Sequence, residues 1–193
     1  MAHLVYLTRH GLTEANVRRV RAGLTDVPLL PEGREQAVHL AERVRGFGIS
    51  DVRTSPLRRA FETARVIADK LQIPVTNEPG LIEVDVGPWE GLGESDVETL
   101  FPDEYEVWKH RPTSLRLPGH ESIEDVRARA VPVIDRLLEL DTPSLCVTHL
   151  GVVRVLILHY SGRSLDEYGA IHFGHCELLS IRREDGSYDV SHY

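Results

Sequence analysis

A chain of 193 residues, 41% of them hydrophobic and 27% charged, has enough material for one sizeable core, and predicts a single domain over residues 1–193. Its formal net charge of −8 argues against general nucleic-acid binding, which requires a basic surface. The two cysteines, Cys146 and Cys176, belong to no CxxC pair, so we expect no disulfide framework.

The N-terminal residues contain no basic segment followed by a long apolar stretch, so we expect no signal peptide. No apolar run in the sequence approaches the roughly 20 residues that cross a bilayer. These patterns predict a cytoplasmic protein that binds neither membranes nor nucleic acid. Whether the protein forms a homodimer is left open by the sequence.

Apolar and amphipathic segments alternate along the chain, which predicts an α/β fold with a mostly parallel sheet. The predicted strands cover residues 4–7, 51–54, 73–76 and 144–148, followed by a closing hairpin over 178–181 and 188–190. Five helices are predicted. The first follows Thr13, the second begins at Pro31, and the third runs from an N-cap at Ser55 to about Leu71. The fourth follows Ser122, and the fifth covers 152–159. Residues 84–121, rich in glycine, proline and acidic side chains, predict an irregular insertion that forms a partial lid.

The first strand-to-helix junction carries the strongest candidate for a nucleophile. Ligands of parallel sheets bind beyond the carboxyl ends of the strands, and His10 lies there between Arg9 and Gly11. A neutral imidazole is a capable nucleophile near pH 7. Gly11 permits a tight turn and a close approach to a ligand. Thr13 and Asn16, near the start of the next helix, are placed to bond an oxyanion at its positive end.

Two further junctions supply cations and a second histidine. Arg58 and Arg59 lie in the first turn of a helix, where positive charge opposes the helix dipole, so at least one of them is expected to meet an anion. His149 ends a predicted strand, and Arg154 follows in the next helical turn. Together the three junctions predict an oxyanion pocket that shows no metal-ligand pattern.

A phosphoryl-transfer reaction also needs an acid to protonate the departing alkoxide. Three acidic residues in one segment are candidates: Glu83, Asp85 and Glu90. The pattern of residues by itself does not choose among them.

The junction motifs resemble the signature of the histidine phosphatase superfamily, the phosphoglycerate-mutase-like proteins. The matching segments, in order along the chain, are TRHGLTEAN from Thr8 to Asn16, SPLRRA from Ser55 with Thr63 and Ala64, the segment from Glu83 to Gly91, and Thr148-His149 with Gly151, Val152 and Arg154. The resemblance covers most of the chain. It implies a three-layer α/β/α fold in which His10 attacks phosphorus and is transiently phosphorylated.

The resemblance also implies roles for the other matched residues. Four side chains would hold the equatorial oxygens of the phosphoryl group: Arg9, Asn16, Arg59 and His149. Glu83 would protonate the leaving group and then activate water. The resemblance thus selects Arg59 over Arg58 and Glu83 over Asp85 and Glu90, which the residues alone did not.

One departure from the family pattern is the last motif, His149-Leu150-Gly151, where many members have His-Gly. Leu150 adds bulk near the phosphate and leaves the shape of the substrate pocket open. Members similar to α-ribazole phosphatases share a His-x-Gly-Val pattern, so the departure is not interpreted as inactivating. The segment from Gly87 to Gly91 looks like the phosphatase branch, and mutases of this family are usually longer than this chain.

The sequence therefore predicts a phosphatase acting on a small phosphomonoester, with no cofactor and no metal. It does not choose among phosphosugars, phosphoglycerates, phosphoserine and α-ribazole phosphate. Two alternatives stay open: a mutase that returns the phosphoryl group to a bound product, and a non-catalytic relative that binds phosphorylated ligands. A zinc site at His172, His175 and Cys176 is the less favoured interpretation of those residues, because their spacing matches no closed four-ligand pattern.

Overall fold

The computed structural model describes residues 3–193, with side chains from residue 4 onward. The expectation that there is no signal peptide concerns in part residues 1 and 2, which lie outside the described residues. In the described range no helix combines the length and the apolar character needed to cross a membrane.

Six strands form one mixed sheet in the order β3-β2-β4-β1-β5-β6. Their bounds are β1 His3–Arg9, β2 Asp51–Thr54, β3 Val75–Asn77, β4 Ser144–Thr148, β5 Leu178–Glu184 and β6 Ser187–His192. Strands β1 to β4 are parallel to one another, whereas β5 pairs antiparallel with β1 and β6. The mostly parallel sheet with a closing hairpin confirms the predicted fold class.

Helices cover both faces of the sheet. Their bounds are α1 Glu14–Val17, α2 Pro31–Arg43, α3 Arg58–Leu71, α4 Glu94–Leu100, α5 Pro102–His110, α6 Ile123–Leu138 and α7 Leu150–Tyr160. Because side chains alternate along a strand, β1 sends Leu4 and Tyr6 into the core shared with α2 and α3. It sends Val5 and Leu7 into the opposite core, shared with α6 and α7. The three-layer arrangement follows from this alternation.

The segment over residues 84–121 contains α4 and α5 and has a small core of its own. Trp89, Val97, Tyr105 and Leu115 are buried together there. The segment packs beside the sheet edge that holds the junction motifs, since Val86 and Trp108 contact both this core and the larger one. Its action as a lid stays a prediction.

Helix α1 follows its N-cap Thr13, as expected, and is only four residues long. Two later helix starts differ from the sequence expectation. Helix α7 begins at Leu150 and not at residue 152. Helix α3 begins at Arg58 with Leu57 in the N-cap position, and not at the predicted Ser55 cap. The hydroxyl of Ser55 instead lies 2.7 Å from Nε2 of His149, and it accepts the Leu57 N–H at 3.3 Å. The predicted cap at Ser122 is confirmed, because its hydroxyl accepts the N–H of Asp125 at 3.1 Å.

Backbone hydrogen bonds align the carboxyl ends of three parallel strands. The His10 N–H donates to the carbonyl of Thr148, and the Ser55 N–H donates to the carbonyl of Val147, both at 3.0 Å. Residues 10, 55 and 149 therefore leave β1, β2 and β4 at one edge of the sheet. Side chains far apart in sequence meet at that edge.

Candidate active site

A cavity of about 220 Å³ opens at this edge of the sheet. Its lining residues are Arg9, His10, Asn16, Val20, Arg21, Ala22, Gly23, Glu83, Val84, Val86, Trp108, Leu150, Arg154 and Tyr168. Predicted site residues from the first junction, the acidic segment and the third junction thus share one cavity. Arg59 and His149 are almost fully buried and are not among the residues that line it.

His10 is buried and held in one tautomer. Its Nδ1 lies 2.7 Å from the carbonyl oxygen of Gly11, which can only accept, so Nδ1 carries the proton and Nε2 presents a lone pair. Burial and the charges of Arg59 and Arg9 hold the pKa of His10 well below its usual value of 6.5. The ring is therefore neutral at physiological pH, as a nucleophile must be.

His149 lies beside His10, with its ring centroid 5.2 Å from that of His10. Nε2 of His149 lies 2.7 Å from the Ser55 hydroxyl, which already accepts the Leu57 N–H. Because the hydroxyl has no other acceptor for its own proton among the described residues, we assign it as the donor to Nε2, which places the proton of the ring on Nδ1. That Nδ1 is buried and has no partner among the described residues. Burial, followed by the charge of Arg59, keeps the pKa of His149 well below 6.5 as well, so the ring offers a neutral hydrogen-bond donor.

Arg59 is the buried member of the Arg58–Arg59 pair. Its guanidinium donates to the carbonyl oxygens of Ala22 and Gly23 at 2.8 Å and of Thr25 at 2.9 Å. The exposed side chain of Arg58 instead pairs with Glu62 on the surface of α3, at 2.7 Å. One residue of the pair faces inward, as expected for neighbours about 100° apart on a helix.

Arg9 lines the cavity and is poorly satisfied. It donates from a terminal nitrogen to the Phe173 carbonyl at 3.3 Å, while its Nε is buried without a partner among the described residues. Burial lowers the pKa of Arg9 to about 10, and the negative charge of Glu83 opposes this shift. The guanidinium stays charged at neutral pH and has donors left for an anion.

Glu83 enters the cavity from the loop that follows β3. Its carboxylate accepts the Val84 N–H at 2.9 Å and the Gly151 N–H at 3.4 Å. A Cβ at position 151 would lie 2.5 Å from Oε1 of Glu83, so only glycine leaves room for this carboxylate. The glycine of the His149-Leu150-Gly151 motif thus makes space for Glu83.

The two competing acids are engaged elsewhere. Asp85 accepts the Gly87 N–H at 2.9 Å and so closes its own turn. Glu90 accepts the N–H groups of Leu24 at 3.2 Å and Thr25 at 3.4 Å, which fixes the loop whose carbonyls hold Arg59. Among the three acidic candidates only Glu83 lines the cavity.

Gly11 and Thr13, two predicted substrate contacts, are not among the residues that line the cavity. The N–H of Gly11 donates to Thr63 at 3.0 Å, and a Cβ at Gly11 would lie 2.3 Å from the Gly33 carbonyl, so the close approach that this glycine permits is that of the first turn of α2. The hydroxyl of Thr13 is buried and donates to Oδ1 of Asn16 at 2.7 Å, because it caps α1. With its oxygen committed to the cap, Asn16 has its amide N–H groups for the cavity.

Leu150 and Arg154, both predicted from the third junction, line the cavity. Three other residues at the site were missed or differently interpreted from the sequence. His175, interpreted as a packing residue, lies 5.6 Å from the His10 ring and donates from Nδ1 to the His10 carbonyl at 3.0 Å. Arg21 and Tyr168 carried no motif signal, because neither follows a strand end.

The alternative zinc residues are not assembled as a ligand set. His175 is bonded to His10, and Cys176 is buried against the core of α2 and α3. Within residues 3–193 no group of three or more His, Cys, Asp or Glu side chains is placed to hold a metal ion.

The fold has three layers, and buried histidines and arginines gather around one carboxylate at the carboxyl edge of its sheet. This arrangement defines an oxyanion-binding α/β protein. Comparison with protein families makes this specific, since the model of the histidine phosphatase superfamily (branch 1) matches residues 5–193. The chain belongs to that superfamily of enzymes.

Individual relatives and structures agree on the family and differ in activity. A Yersinia pestis protein named "Probable phosphoglycerate mutase GpmB" is 35% identical over 193 residues, which is 97% of this chain and 88% of the relative. The mycobacterial glucosyl-3-phosphoglycerate phosphatase in complex with VO3 has a TM-score of 0.88 at 25% identity, with 98% of each chain covered. The α-ribazole phosphatase from Shigella flexneri has a TM-score of 0.86 at 27% identity, covering 98% of this chain and 95% of that one.

Proposed function

We propose that this chain hydrolyses small phosphomonoesters by a metal-independent route through a phosphohistidine on His10. The observation that carries the proposal is the state of His10: a buried, neutral ring whose Nδ1–H is bonded to Gly11, leaving the lone pair of Nε2 for attack. Arg9 lines the same cavity as this ring, the His149 ring lies 5.2 Å from it, and the positive charges of Arg59 and Arg9 act on it. Phosphoryl transfer requires mainly such positioning and charge stabilisation.

In the first step, Nε2 of His10 attacks phosphorus and the bond from phosphorus to the ester oxygen breaks. Arg9, Arg59 and Nδ1–H of His149, with the Asn16 amide, would hold the equatorial oxygens, and Glu83 would give its proton to the departing alkoxide. The cations and donors here act on the charge that a metal ion neutralises in other phosphoryl-transfer enzymes.

In the second step, a water molecule attacks phosphorus and the P–N bond breaks, which returns the electron pair to Nε2 of His10. Glu83, ionised after the first step, takes the proton of that water. Free phosphate leaves and Glu83 is again protonated. The atoms balance with water as the only co-reactant.

Support for a phosphatase comes from the solved structures, since two with TM-scores of 0.86 and 0.88 are named phosphatases. A second candidate is phosphoryl transfer between two hydroxyl groups, favoured by the relative named as a phosphoglycerate mutase. The two functions share the phosphohistidine and differ only in whether water or a bound product receives the phosphoryl group. The cytoplasmic location and the partners expected from the sequence stay predictions.

The test is phosphate release from p-nitrophenyl phosphate and a panel of phosphorylated metabolites, with a parallel mutase assay containing 2,3-bisphosphoglycerate. We expect turnover that His10→Ala abolishes and that a chelator leaves unchanged. His110→Ala, which alters an exposed histidine at the end of α5, is the matched control and keeps wild-type activity.

Three outcomes would overturn the proposal. Release from no ester in the panel would favour a binding protein. Transfer to a hydroxyl acceptor much faster than release would favour the mutase. Loss of activity with a chelator, restored by zinc or magnesium, would contradict the metal-independent route.

A further inference from the structure

The cavity holds two arginines, Arg21 and Arg154, to which the proposed mechanism gives no role. Three arginines line it, Arg9, Arg21 and Arg154, against one carboxylate, Glu83. None of these three guanidinium groups has a carboxylate within 4.0 Å among the described residues. A partly buried cation without a partner is costly, so each position invites the question of which anion it meets.

Of the three arginines that line the cavity, Arg21 differs from Arg9 and Arg154 in making no side-chain hydrogen bond to a carbonyl. Its side chain makes no hydrogen bond to the described residues, and its guanidinium lies over the ring of Trp89, with the carbon 5.4 Å from the ring centroid. Its backbone is fixed, because the Arg21 N–H donates to Leu92 at 2.9 Å and its carbonyl accepts from Gly91 at 2.8 Å. A stacked, backbone-anchored guanidinium is preorganised to present its remaining donors to a planar anion.

The negative charge of Glu94 raises the pKa of Arg21, but Glu94 forms no ion pair with it among the described residues. The Glu94 carboxylate instead accepts the hydroxyl of Tyr105 at 2.5 Å. Partial burial lowers the pKa of Arg21 from its usual value, which is the sign of a cation held from water without full compensation.

Aromatic rings connect the side of Glu83 to Arg21. A Cβ on Gly151 would lie 2.5 Å from Oε1 of Glu83 and 2.8 Å from the Tyr168 hydroxyl, so these two groups are neighbours. The ring centroids of Tyr168 and Trp108 are 5.1 Å apart and those of Trp108 and Trp89 are 5.7 Å apart, and the guanidinium of Arg21 lies over Trp89. The organic part of a substrate whose leaving group is protonated by Glu83 would extend past Tyr168 and Trp108, which line the cavity, toward Arg21.

We propose that Arg21 binds a second anionic group of the substrate, so that the preferred substrates are small phosphomonoesters that also carry a carboxylate or another phosphate. This inference rests on the proposed phosphatase function and specifies its substrate class. Arg154, the other arginine on this side, lies over the ring of Tyr168 at 5.1 Å and donates from Nε to the Ile171 carbonyl at 2.8 Å. Of these two arginines, Arg21 is the one whose side chain makes no hydrogen bond to the described residues.

The experiment compares substrates that differ only in the second anion. The matched pairs are 3-phosphoglycerate with glycerol 3-phosphate, O-phosphoserine with O-phosphoethanolamine, and fructose 1,6-bisphosphate with fructose 6-phosphate. We expect kcat/KM to favour the more anionic member of at least one pair by roughly tenfold or more, the usual scale of a charge-assisted hydrogen bond. The first two pairs report a carboxylate and the third a phosphate.

Variants of Arg21 test whether this residue causes the preference for the more anionic substrate. Arg21→Gln should lower the ratio of kcat/KM within the preferred pair by about tenfold, and Arg21→Lys, which keeps the charge and loses the planar fork, should give an intermediate ratio. Arg18→Gln, an exposed arginine three residues earlier in the chain, is the matched control and should leave the ratio unchanged. A ratio is insensitive to a general loss of folded enzyme.

The outcomes separate this inference from the function on which it rests. Hydrolysis of p-nitrophenyl phosphate with no preference in any pair would overturn the role of Arg21 and keep the phosphatase. A preference that survives Arg21→Gln would also overturn it, by placing the second anion elsewhere. Hydrolysis of no phosphoester at all would instead reject the proposed function.

Discussion

Ser55 and His149 form a buried pair that links β2 to β4 at the site. The Ser55 hydroxyl accepts the Leu57 N–H and donates to Nε2 of His149, so a single hydroxyl both turns the chain and fixes the proton of the ring on Nδ1. Both side chains are fully buried. The donor that His149 offers to a phosphoryl oxygen therefore depends on a residue that touches no substrate.

Removing this hydroxyl should reduce the rate of phosphoryl transfer. In Ser55→Ala the proton of His149 is free to move to Nε2, and the ring loses its fixed orientation. We expect kcat for p-nitrophenyl phosphate to fall on the order of tenfold to a hundredfold, within the range for losing a donor to a developing oxyanion. The measurement is kcat and KM with the variant shown to be folded by circular dichroism.

Ser50→Ala provides the comparison for that substitution. The hydroxyl of Ser50 is exposed and bonds Thr142 at 2.9 Å, far along the chain from the site. This variant should keep kcat at the wild-type value. Full activity in Ser55→Ala as well would show that the orientation of His149 does not depend on Ser55.

The junction residues themselves could be predicted from sequence, whereas their supports could not. His10 and His149 directly follow apolar strands, and that local pattern marks the carboxyl edge of a sheet. The carbonyls of Ala22, Gly23 and Thr25 that bind Arg59, and the Glu90 carboxylate that holds their loop, lie in segments joined only by tertiary folding. Backbone acceptors leave no signature in side-chain patterns.

At the scale of elements, the first turn of α7 is shaped to admit the carboxylate of Glu83. A Cβ on Gly151 would lie 2.5 Å from Oε1 of Glu83, 2.5 Å from a methyl group of Val84 and 2.8 Å from the hydroxyl of Tyr168. These distances are too short for real contacts, so a larger residue must push at least one of the three neighbours away.

Gly151→Ala should impair proton donation more than attack by the nucleophile. A displaced Glu83 matters most for alkyl esters, whose alkoxide needs a proton, and less for p-nitrophenyl phosphate, whose leaving group departs as an anion. Since general acid catalysis contributes roughly 10²–10⁴-fold, we expect kcat for an alkyl phosphate to fall at least about tenfold more than kcat for the aryl ester.

The matched control for this helix-start variant is Gly169→Ala. Gly169 is exposed, and no atom lies within 4 Å of where its Cβ would be. It should leave the two kcat values and their ratio unchanged. Equal losses on alkyl and aryl esters in Gly151→Ala would argue that the substitution disturbs the whole site and not Glu83 in particular.

Strands were easier to predict than helix starts for a physical reason. Buried parallel strands are short apolar runs, and β4 falls on residues 144–148 as expected. The Ser55 hydroxyl accepts the Leu57 N–H at 3.3 Å and so closes a turn just before α3, which begins at Arg58. A capping residue type in the sequence therefore marks the neighbourhood of a helix start without fixing the residue at which the helix begins.

For the molecule as a whole, burying neutral histidines at the site makes stability depend on pH. His10 and His149 have pKa values well below 6.5 because of burial and neighbouring arginines, and burial lowers that of His175 to about 4. Below pH 6.5 the unfolded chain binds protons at these positions that the folded protein does not. The free energy of unfolding must therefore fall as the pH drops below 6.5, down to the folded-state pKa values.

His10→Ala should make the free energy of unfolding less dependent on pH, because it removes one of the histidines that are protonated only in the unfolded chain. The free energy of unfolding of the wild type, measured by urea titration at pH 6 and pH 5, should fall more steeply than that of His10→Ala, by roughly 1 kcal/mol per pH unit. Carboxylates that titrate in the same range contribute equally to both proteins and cancel in the difference. Val153→Ala, which opens a cavity at a fully buried residue without removing a titratable group, should lower stability at both pH values and keep the wild-type slope. Equal slopes for the wild type and His10→Ala would mean that the ring of His10 takes up its proton in the folded protein near pH 6.5. The proposal that burial keeps His10 uncharged would then be rejected.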